Sequence, residues 1–170
     1  AVAERARAVG IHVYVVDKPD RSAQTREPLA NLGLQTVPDL DAMLGTCDII
    51  SLHVPSAAGT KDMVDAEFLA KLQPGAILIN ASRGDVIDEV ALLAAMNDKG
   101  IRAGLDVYAD EPSAGEDAFS SDLASHPNTC GTHHIGASTD QAQNAVSGGV
   151  LDVIYAFAGG TVMNCVNGLG

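Results

Sequence analysis

The segment GTHHIGAST, residues 131–139, places two histidines side by side at the end of an apolar stretch. Because successive side chains of a strand point to opposite faces, His133 and His134 are not expected to act on one target. An imidazole that is followed by glycine and a helix start is suited to acid–base chemistry. A lone histidine is more often structural, so the neighbouring residues must decide between these readings.

Three further ionisable residues could share that chemistry. Arg83 carries a permanently charged planar fork that matches a carboxylate, although an ion pair at a sheet edge is the alternative. Glu111 precedes Pro112 and is therefore held extended, but the adjacent Asp110 means that position alone does not select it. Asp17 ends an apolar segment, where nucleotide-binding sheets hold ribose hydroxyls with an acid; a solvated loop acid is the alternative.

These residues follow short apolar segments that alternate with helical patterns. Continuous apolar strands are typical of sheets buried on both faces, so the sequence predicts a doubly wound, mostly parallel α/β sheet. Ligands of such sheets bind beyond the carboxyl ends of the strands, where the ionisable residues lie. The predicted strands are 11–17, 35–37, 48–55, 76–82, 103–108 and 128–133, and the predicted helices are 1–9, 39–47, 65–72, 88–100 and a long one opened by a Ser138–Gln141 capping pair.

The composition excludes several classes of partner. The chain has 170 residues, 46% of them hydrophobic and 19% charged, which is typical of one globular domain. The net charge of −12 argues against nucleic acid and anionic membranes. The three cysteines show no metal-ligand spacing, so we expect reduced thiols, no metal and a cytoplasmic protein.

No apolar run of the sequence reaches the length of a membrane span. The chain begins in a helical pattern without an initiator methionine, so we expect an upstream segment with any targeting signal it carries.

Four motifs occur in order: LHVP at 52–55, PGAILINASRGDVIDEVAL at 74–92, GLDVYADEP at 104–112 and HIGAST at 134–139. Together they resemble the D-isomer-specific 2-hydroxyacid dehydrogenase family over nearly the whole chain. NCVN at 164–167 resembles the family's C-terminal ending, and HHIGASTDQAQNAV is most similar to D-3-phosphoglycerate dehydrogenases. The resemblance implies a Rossmann-like fold, NAD as cofactor, a small 2-hydroxy or 2-keto acid as substrate, and a homodimer or higher homo-oligomer. D-3-phosphoglycerate, and with it serine biosynthesis, is the expected substrate and pathway.

The resemblance assigns a catalytic trio to Arg83, Glu111 and His134. It implies that Arg83 binds the substrate carboxylate and polarises the carbonyl group. His134 would exchange a proton with the substrate oxygen, and Glu111 would orient the imidazole and favour its protonated form. His133 stands where the family often has proline, and we assign it no chemistry.

The resemblance also assigns the cofactor contacts. Asp17 would bind the ribose, Asp106 the carboxamide, and Gly136 and Ala137 would let the chain pass close to the nicotinamide ring. The residues expected to line the nicotinamide half are His53, Val54, Pro55, Ala81, Ser82, Arg83 and His134.

The family's glycine-rich phosphate loop and the strand before it are not found in this sequence, and we expect them upstream of Ala1. Without that strand the sheet should have a gap, and the cofactor should lose its main phosphate anchor. We therefore expect residues 1–160 to be an N-terminally truncated NAD-binding domain and residues 161–170 to return toward a substrate domain. The fragment alone is expected to bind NAD poorly and to be inactive.

Other functions remain open at this point. A hydroxypyruvate or glyoxylate reductase would share the same trio, because substrate selectivity should come from the other domain. A non-enzymatic NAD-sensing protein, resembling the corepressors of this superfamily, could also keep the trio. Formate dehydrogenases, by contrast, have glutamine where this chain has Glu111.

Overall fold

The computed structural model describes residues 1–16, 30–112 and 119–165. The chain consists of a first compact unit, Ala1–Gly131, and a second that begins at Thr132. The strands are β1 (Tyr14–Val16), β2 (Gln35–Val37), β3 (Ile49–Leu52), β4 (Ile77–Asn80), β5 (Arg102–Leu105) and β6 (Thr129–Gly131). The helices are α1 (Val2–Ala8), α2 (Leu40–Leu44), α3 (Ala66–Lys71), α4 (Glu89–Lys99), α5 (Asp122–Ser125) and α6 (Asp140–Ala158), with a 3₁₀ turn over Gly84–Val86.

The strand pairs in the described part of the chain are all parallel, which confirms the predicted α/β class. Strands β3, β4, β5 and β6 lie side by side in that order, and Ile50 pairs with Leu78, which pairs with Ala103. Strands β1 and β2 form a separate two-stranded sheet. Within the described residues the strands therefore divide into two sheets, in agreement with the expected gap.

Local capping explains where most helices begin and end. The side chains of Asp39, Asp65 and Asp88 accept hydrogen bonds from backbone amides in the first turns of α2, α3 and α4. Gly100 ends α4 with a φ of 67°, a left-handed conformation that glycine adopts without strain. The predicted cap of α6, Ser138, is wrong by one residue, because the side chain of Thr139 caps the helix, which begins at Asp140.

The core lies on one face of the four-stranded sheet. Ile50, Leu52 and Leu78 are buried there, whereas Ile49 and Ile79 on the other face are 42% and 37% exposed. The expectation that both faces are buried is therefore wrong for the described residues of this chain. The reason is that four helices place their side chains on the same face of the sheet. The helical members of that core are Leu44, Phe68, Leu69, Leu92, Met96 and Leu123.

Lys99, the last residue of α4, closes the end of the neighbouring helix α3. Its ammonium group donates hydrogen bonds to the carbonyl oxygens of Leu69, Ala70 and Leu72, at 3.2, 2.7 and 2.5 Å. These carbonyls lie at the C-terminus of α3, where a positive charge is favourable. One side chain thus joins two helices that both cover the sheet.

Replacing Lys99 with methionine should lower the free energy of unfolding by about 1–3 kcal/mol, because it leaves the C-terminal carbonyls of α3 without their donor. Methionine keeps most of the aliphatic stem, so the loss reports the ammonium contacts. Urea denaturation of the chain measures the change. Lys61→Met, at an exposed lysine in the loop after β3, is the control, and equal losses for the two variants would contradict this role.

Candidate active site

The predicted site residues of the first unit gather at one edge of the four-stranded sheet. Residues 53–55 follow β3, residues 81–83 follow β4, and Asp106 follows β5. Because these three strands are adjacent and parallel, their carboxyl ends meet at the same edge. The structure therefore brings together the loops that the sequence indicated, although their role in binding stays a prediction.

The turn that carries Arg83 is built around the buried amide of Asn80. Asn80 has no exposed surface, and its Nδ2 donates to the carbonyl oxygen of Arg83 at 2.8 Å. Its Oδ1 accepts from the backbone amide and the hydroxyl of Ser82, at 3.0 and 2.7 Å. All these contacts fall within three residues, and they hold a bend of the chain at Ser82, just after the end of β4. The Arg83 side chain is left exposed, with its Nη1 donating to the Ser82 carbonyl at 2.6 Å.

Gly84 allows the loop after β4 to touch the loop after β5. A Cβ atom placed on Gly84 would overlap the carbonyl group of Tyr108, so only glycine fits this contact without a shift. The Tyr108 side chain is 6% exposed and packs against Phe119, with 5.0 Å between the ring centroids. Its hydroxyl group fills the space that a Cβ atom on Gly131 would need. Tyr108 thus contacts Gly84 through its backbone carbonyl and Gly131 through its side-chain hydroxyl.

The loops after β3 and β4 are also joined. The hydroxyl of Ser56 donates to Oδ2 of Asp85 at 2.5 Å. The amide of Asp62 donates to the carbonyl of Asp85, and Val64 forms a parallel bridge with Ile87. Within the first loop, Thr60 donates to the Pro55 carbonyl at 2.6 Å. The loop that follows Pro55 is therefore coupled to the loop that carries Arg83.

Glu111 lies in the loop after β5 and is partly buried. Its Oε2 accepts from the backbone amide of Tyr108 at a long 3.4 Å. The amide of Asp106, at the start of the same loop, donates to the Asn80 carbonyl at 3.0 Å. Glu111 and Arg83 consequently stand on neighbouring loops of one unit.

His134 belongs to the second unit, and its backbone φ of 59° lies in the left-handed region. Such a conformation is uncommon for a residue with a side chain and is enriched at functional sites. Gly136 and Ala137 follow in an exposed segment, where the side-chain Nε2 of Gln143 donates to the Ala137 carbonyl at 3.2 Å. Asp17 lies outside the described residues.

Sequence reasoning missed the supporting residues Asn80, Tyr108 and Glu89. The signal for Asn80 was present, because an amide at the end of an otherwise apolar strand needs partners when buried. No local pattern marked Tyr108 or Glu89, whose contacts join segments about twenty residues apart. The Glu89 carboxylate accepts from the backbone amide of Ala109 at 2.7 Å.

The parts of the chain that the structure describes hold no group of three or more histidine, cysteine or acidic residues arranged for a metal ion. In the same described ranges, no helix is long and apolar enough to cross a membrane.

A parallel α/β sheet with polar loops at its carboxyl edge defines a nucleotide-binding class of domain. The family model of the D-isomer specific 2-hydroxyacid dehydrogenase NAD binding domain matches residues 1–136. The chain therefore belongs to the D-isomer-specific 2-hydroxyacid dehydrogenase family and carries its NAD-binding domain. This confirms the family and the cofactor that the sequence motifs implied.

Curated relatives are longer than this chain. D-3-phosphoglycerate dehydrogenase of Escherichia coli (strain K12) is 35% identical over 164 residues, which cover 95% of this chain and 38% of the relative. Glyoxylate/hydroxypyruvate reductase B of Enterobacter agglomerans is 42% identical over 131 residues, or 76% of this chain and 39% of the relative. The chain thus spans a little over a third of the length of these two relatives.

Solved structures share the fold. The NAD complex of a D-isomer specific 2-hydroxyacid dehydrogenase from Lactobacillus delbrueckii ssp. bulgaricus matches with a TM-score of 0.81 at 29% identity. The match covers 96% of this chain and 50% of that protein. The fold class predicted from the sequence is therefore confirmed.

The residues at the strand ends fit the nicotinamide half of NAD by their chemistry. Ala81 is exposed and small, the Asp106 carboxylate is an acceptor suited to a carboxamide, and the Arg83 guanidinium is open to an anion. Asn80 holds the backbone at two of these residues, because its side chain donates to the Arg83 carbonyl and its own carbonyl accepts from the Asp106 amide. A ligand would therefore meet a largely preformed surface.

Replacing Asn80 with leucine should destabilise the chain by about 2–4 kcal/mol, because it removes the partly buried hydrogen bonds to the backbone of residues 82 and 83. Urea denaturation measures the loss. Ser82→Ala, which removes only the hydroxyl contact, should cost about 1 kcal/mol. A loss for Asn80→Leu no larger than that of Ser82→Ala would contradict the central role of the amide.

The stability of the chain should fall as pH rises above about 10, in part through Tyr108. Burial raises the pKa of the Tyr108 phenol, and the charges of Glu89, Cys130 and Asp106 raise it further. The unfolded chain then releases this proton at lower pH than the folded chain, so the folded state loses its advantage as pH rises. Urea unfolding from pH 8 to 11 should therefore show a shallower decline for Tyr108→Phe than for the unchanged chain. Equal slopes would overturn this assignment.

Proposed function

We propose that this chain is the cofactor-binding part of an NAD-dependent oxidoreductase that interconverts a D-2-hydroxy acid and its 2-keto acid. The observation that carries the proposal is the placement of Arg83 and Glu111 on adjacent loops at the carboxyl edge of the sheet, in a domain of this family. Residues 1–160 would form the cofactor domain, and residues 161–170 would return toward a substrate domain. The bound nicotinamide would supply or accept the hydride.

Arg83 would bind the substrate carboxylate and polarise the carbonyl group that is reduced. Its guanidinium is permanently charged and offers paired donors that match a carboxylate. The buried Asn80 amide fixes the carbonyl of Arg83, so the side chain starts from a defined backbone position. The remaining freedom of the exposed side chain would be lost when the substrate acid binds.

His134 would donate a proton to the carbonyl oxygen in reduction and take it back in oxidation. Glu111 would orient the imidazole and favour its charged form, because a neighbouring carboxylate stabilises an imidazolium. A positioned acid–base group contributes about 10²–10⁴-fold to the rate. His133 would take no part.

The cofactor would lie along the same edge of the sheet. Asp17 would accept hydrogen bonds from the ribose, and Asp106 from the carboxamide, while Gly136 and Ala137 would allow close approach to the ring. The other residues that would line the nicotinamide half are His53, Val54, Pro55, Ala81 and Ser82.

We propose that the protein works as a homodimer or higher homo-oligomer.

D-3-phosphoglycerate is the substrate we favour, because the E. coli relative that is similar over 95% of this chain bears that name. Hydroxypyruvate or glyoxylate is the second candidate, supported by the 42% identity to a protein named glyoxylate/hydroxypyruvate reductase B. Both substrates are 2-hydroxy or 2-keto acids, so the same trio would serve either.

Replacing His134 with asparagine, in the enzyme that joins this chain to a substrate domain, should lower kcat by about 10²–10⁴-fold. Asparagine keeps polarity and tolerates the left-handed backbone conformation but cannot carry the proton. The KM for NADH should stay nearly unchanged, and steady-state oxidation of NADH with 3-phosphohydroxypyruvate, hydroxypyruvate and glyoxylate measures both constants.

His133→Asn is the matched control and should retain turnover. If the two variants lost activity equally, the assignment of the acid–base residue would be wrong. If the unchanged enzyme turned over none of the three keto acids, the proposed substrate class would fail, and a non-enzymatic NAD-sensing role would be favoured.

A further inference from the structure

Two acidic residues, Asp88 and Glu89, lie at the N-terminus of helix α4 and make different contacts. Asp88 is the cap, because its carboxylate accepts from the amides of Val90 and Ala91, both at 3.0 Å. Glu89 does not serve the helix in this way. Its carboxylate reaches instead to the amide of Ala109, at 2.7 Å, in the loop after β5.

Glu89 is attached to a rigid part of the first unit. The preceding Ile87 is 3% exposed and forms a parallel bridge with Val64. The amide of Asp88 donates to the Val64 carbonyl at 3.1 Å. The backbone at Glu89 therefore follows directly from a segment that the core holds in place.

The loop after β5 receives that support at the point where Glu111 is attached. The amide of Tyr108 donates to Glu111, and the next amide, that of Ala109, donates to Glu89. Two consecutive amides are thus bound by two carboxylates from different segments. Gly84 lies against the carbonyl of Tyr108 on the same stretch of backbone. A shift of this backbone would move the amide to which Glu111 is bonded.

We infer that Glu89 is a positioning residue for Glu111: by holding the amide of Ala109, it fixes the turn over residues 108–111 and with it the carboxylate of Glu111. The inference rests on the proposed function, in which Glu111 orients the imidazole of His134. Displacements of about 1 Å in such arrangements can cost on the order of 100-fold in rate. Glu89 itself would touch neither substrate nor cofactor.

The contact between Glu89 and the amide of Ala109 is tested on this chain by hydrogen exchange of its backbone amides, followed by NMR. In Glu89→Ala the amide of Ala109 should exchange about tenfold faster, because its acceptor is gone. Glu89→Gln keeps an oxygen acceptor and should restore most of the protection. Glu67→Ala is the matched control, since Glu67 is also in a first helical turn but is bonded to Lys71 at 2.9 Å within its own helix. Unchanged exchange at Ala109 in Glu89→Ala would overturn the inference.

The functional half uses the enzyme that joins this chain to a substrate domain. Glu89→Ala should lower kcat for keto acid reduction by about 10–100-fold, with the KM for NADH unchanged. The pH at which reduction loses half its rate should move to lower pH, because a displaced Glu111 favours the imidazolium less. Glu89→Gln and Glu67→Ala should keep the kcat and the pH profile of the unchanged enzyme.

The two proposals fail in different ways. A loss of kcat in Glu89→Ala with an unmoved pH profile would show a general structural role and would overturn the positioning role. If the unchanged enzyme turned over none of the three keto acids, the proposed function would fail even though faster exchange at Ala109 would still establish the contact made by Glu89.

Discussion

The side-chain amide of Asn80 is fully buried at the end of β4, and the turn that carries Arg83 is built around it. A buried amide without partners costs about 1–3 kcal/mol per group, so the turn must bring its donors and acceptors to Asn80. Ser82 and Arg83 supply them, and the chain bends at Ser82. Gly84 then lies close enough to touch Tyr108. The geometry of the two neighbouring loops depends on this one hydrogen-bonded turn.

The faces of the sheet and the ends of its strands have different roles in this unit, because β3, β4 and β5 pair in parallel. Across the sheet, one face is occupied by helices and holds the apolar core, while the other face remains partly exposed in this chain. Along the strands, the carboxyl ends gather loops that carry charge and hydrogen-bonding groups. The core therefore fixes the strand ends, and the strand ends fix where the polar loops begin.

The candidate catalytic groups are divided between the two units. Arg83 and Glu111 belong to the first unit, whereas His134 belongs to the second. The first unit holds its two groups through contacts that cross from loop to loop, including the one between Glu89 and Ala109. In such an arrangement the positions of Arg83 and Glu111 depend on the backbone amides and carboxylates of the segments that support them.

Much of this structure was determined by the sequence alone. The predicted strands and helices occur in the predicted order, although the short helix α5 was not predicted. The caps at Asp65 and Asp88 and the helix end at Gly100 lie where local rules place them, and the motifs indicate the family. These features depend on neighbours within about four residues, so a local pattern carries them. Only the tertiary structure decided that the helices cover one face of the four-stranded sheet and leave Ile49 and Ile79 on the other face partly exposed. It alone also revealed that Glu89 reaches Ala109, because that contact joins residues twenty positions apart, whose approach depends on the packing of α4 and β5.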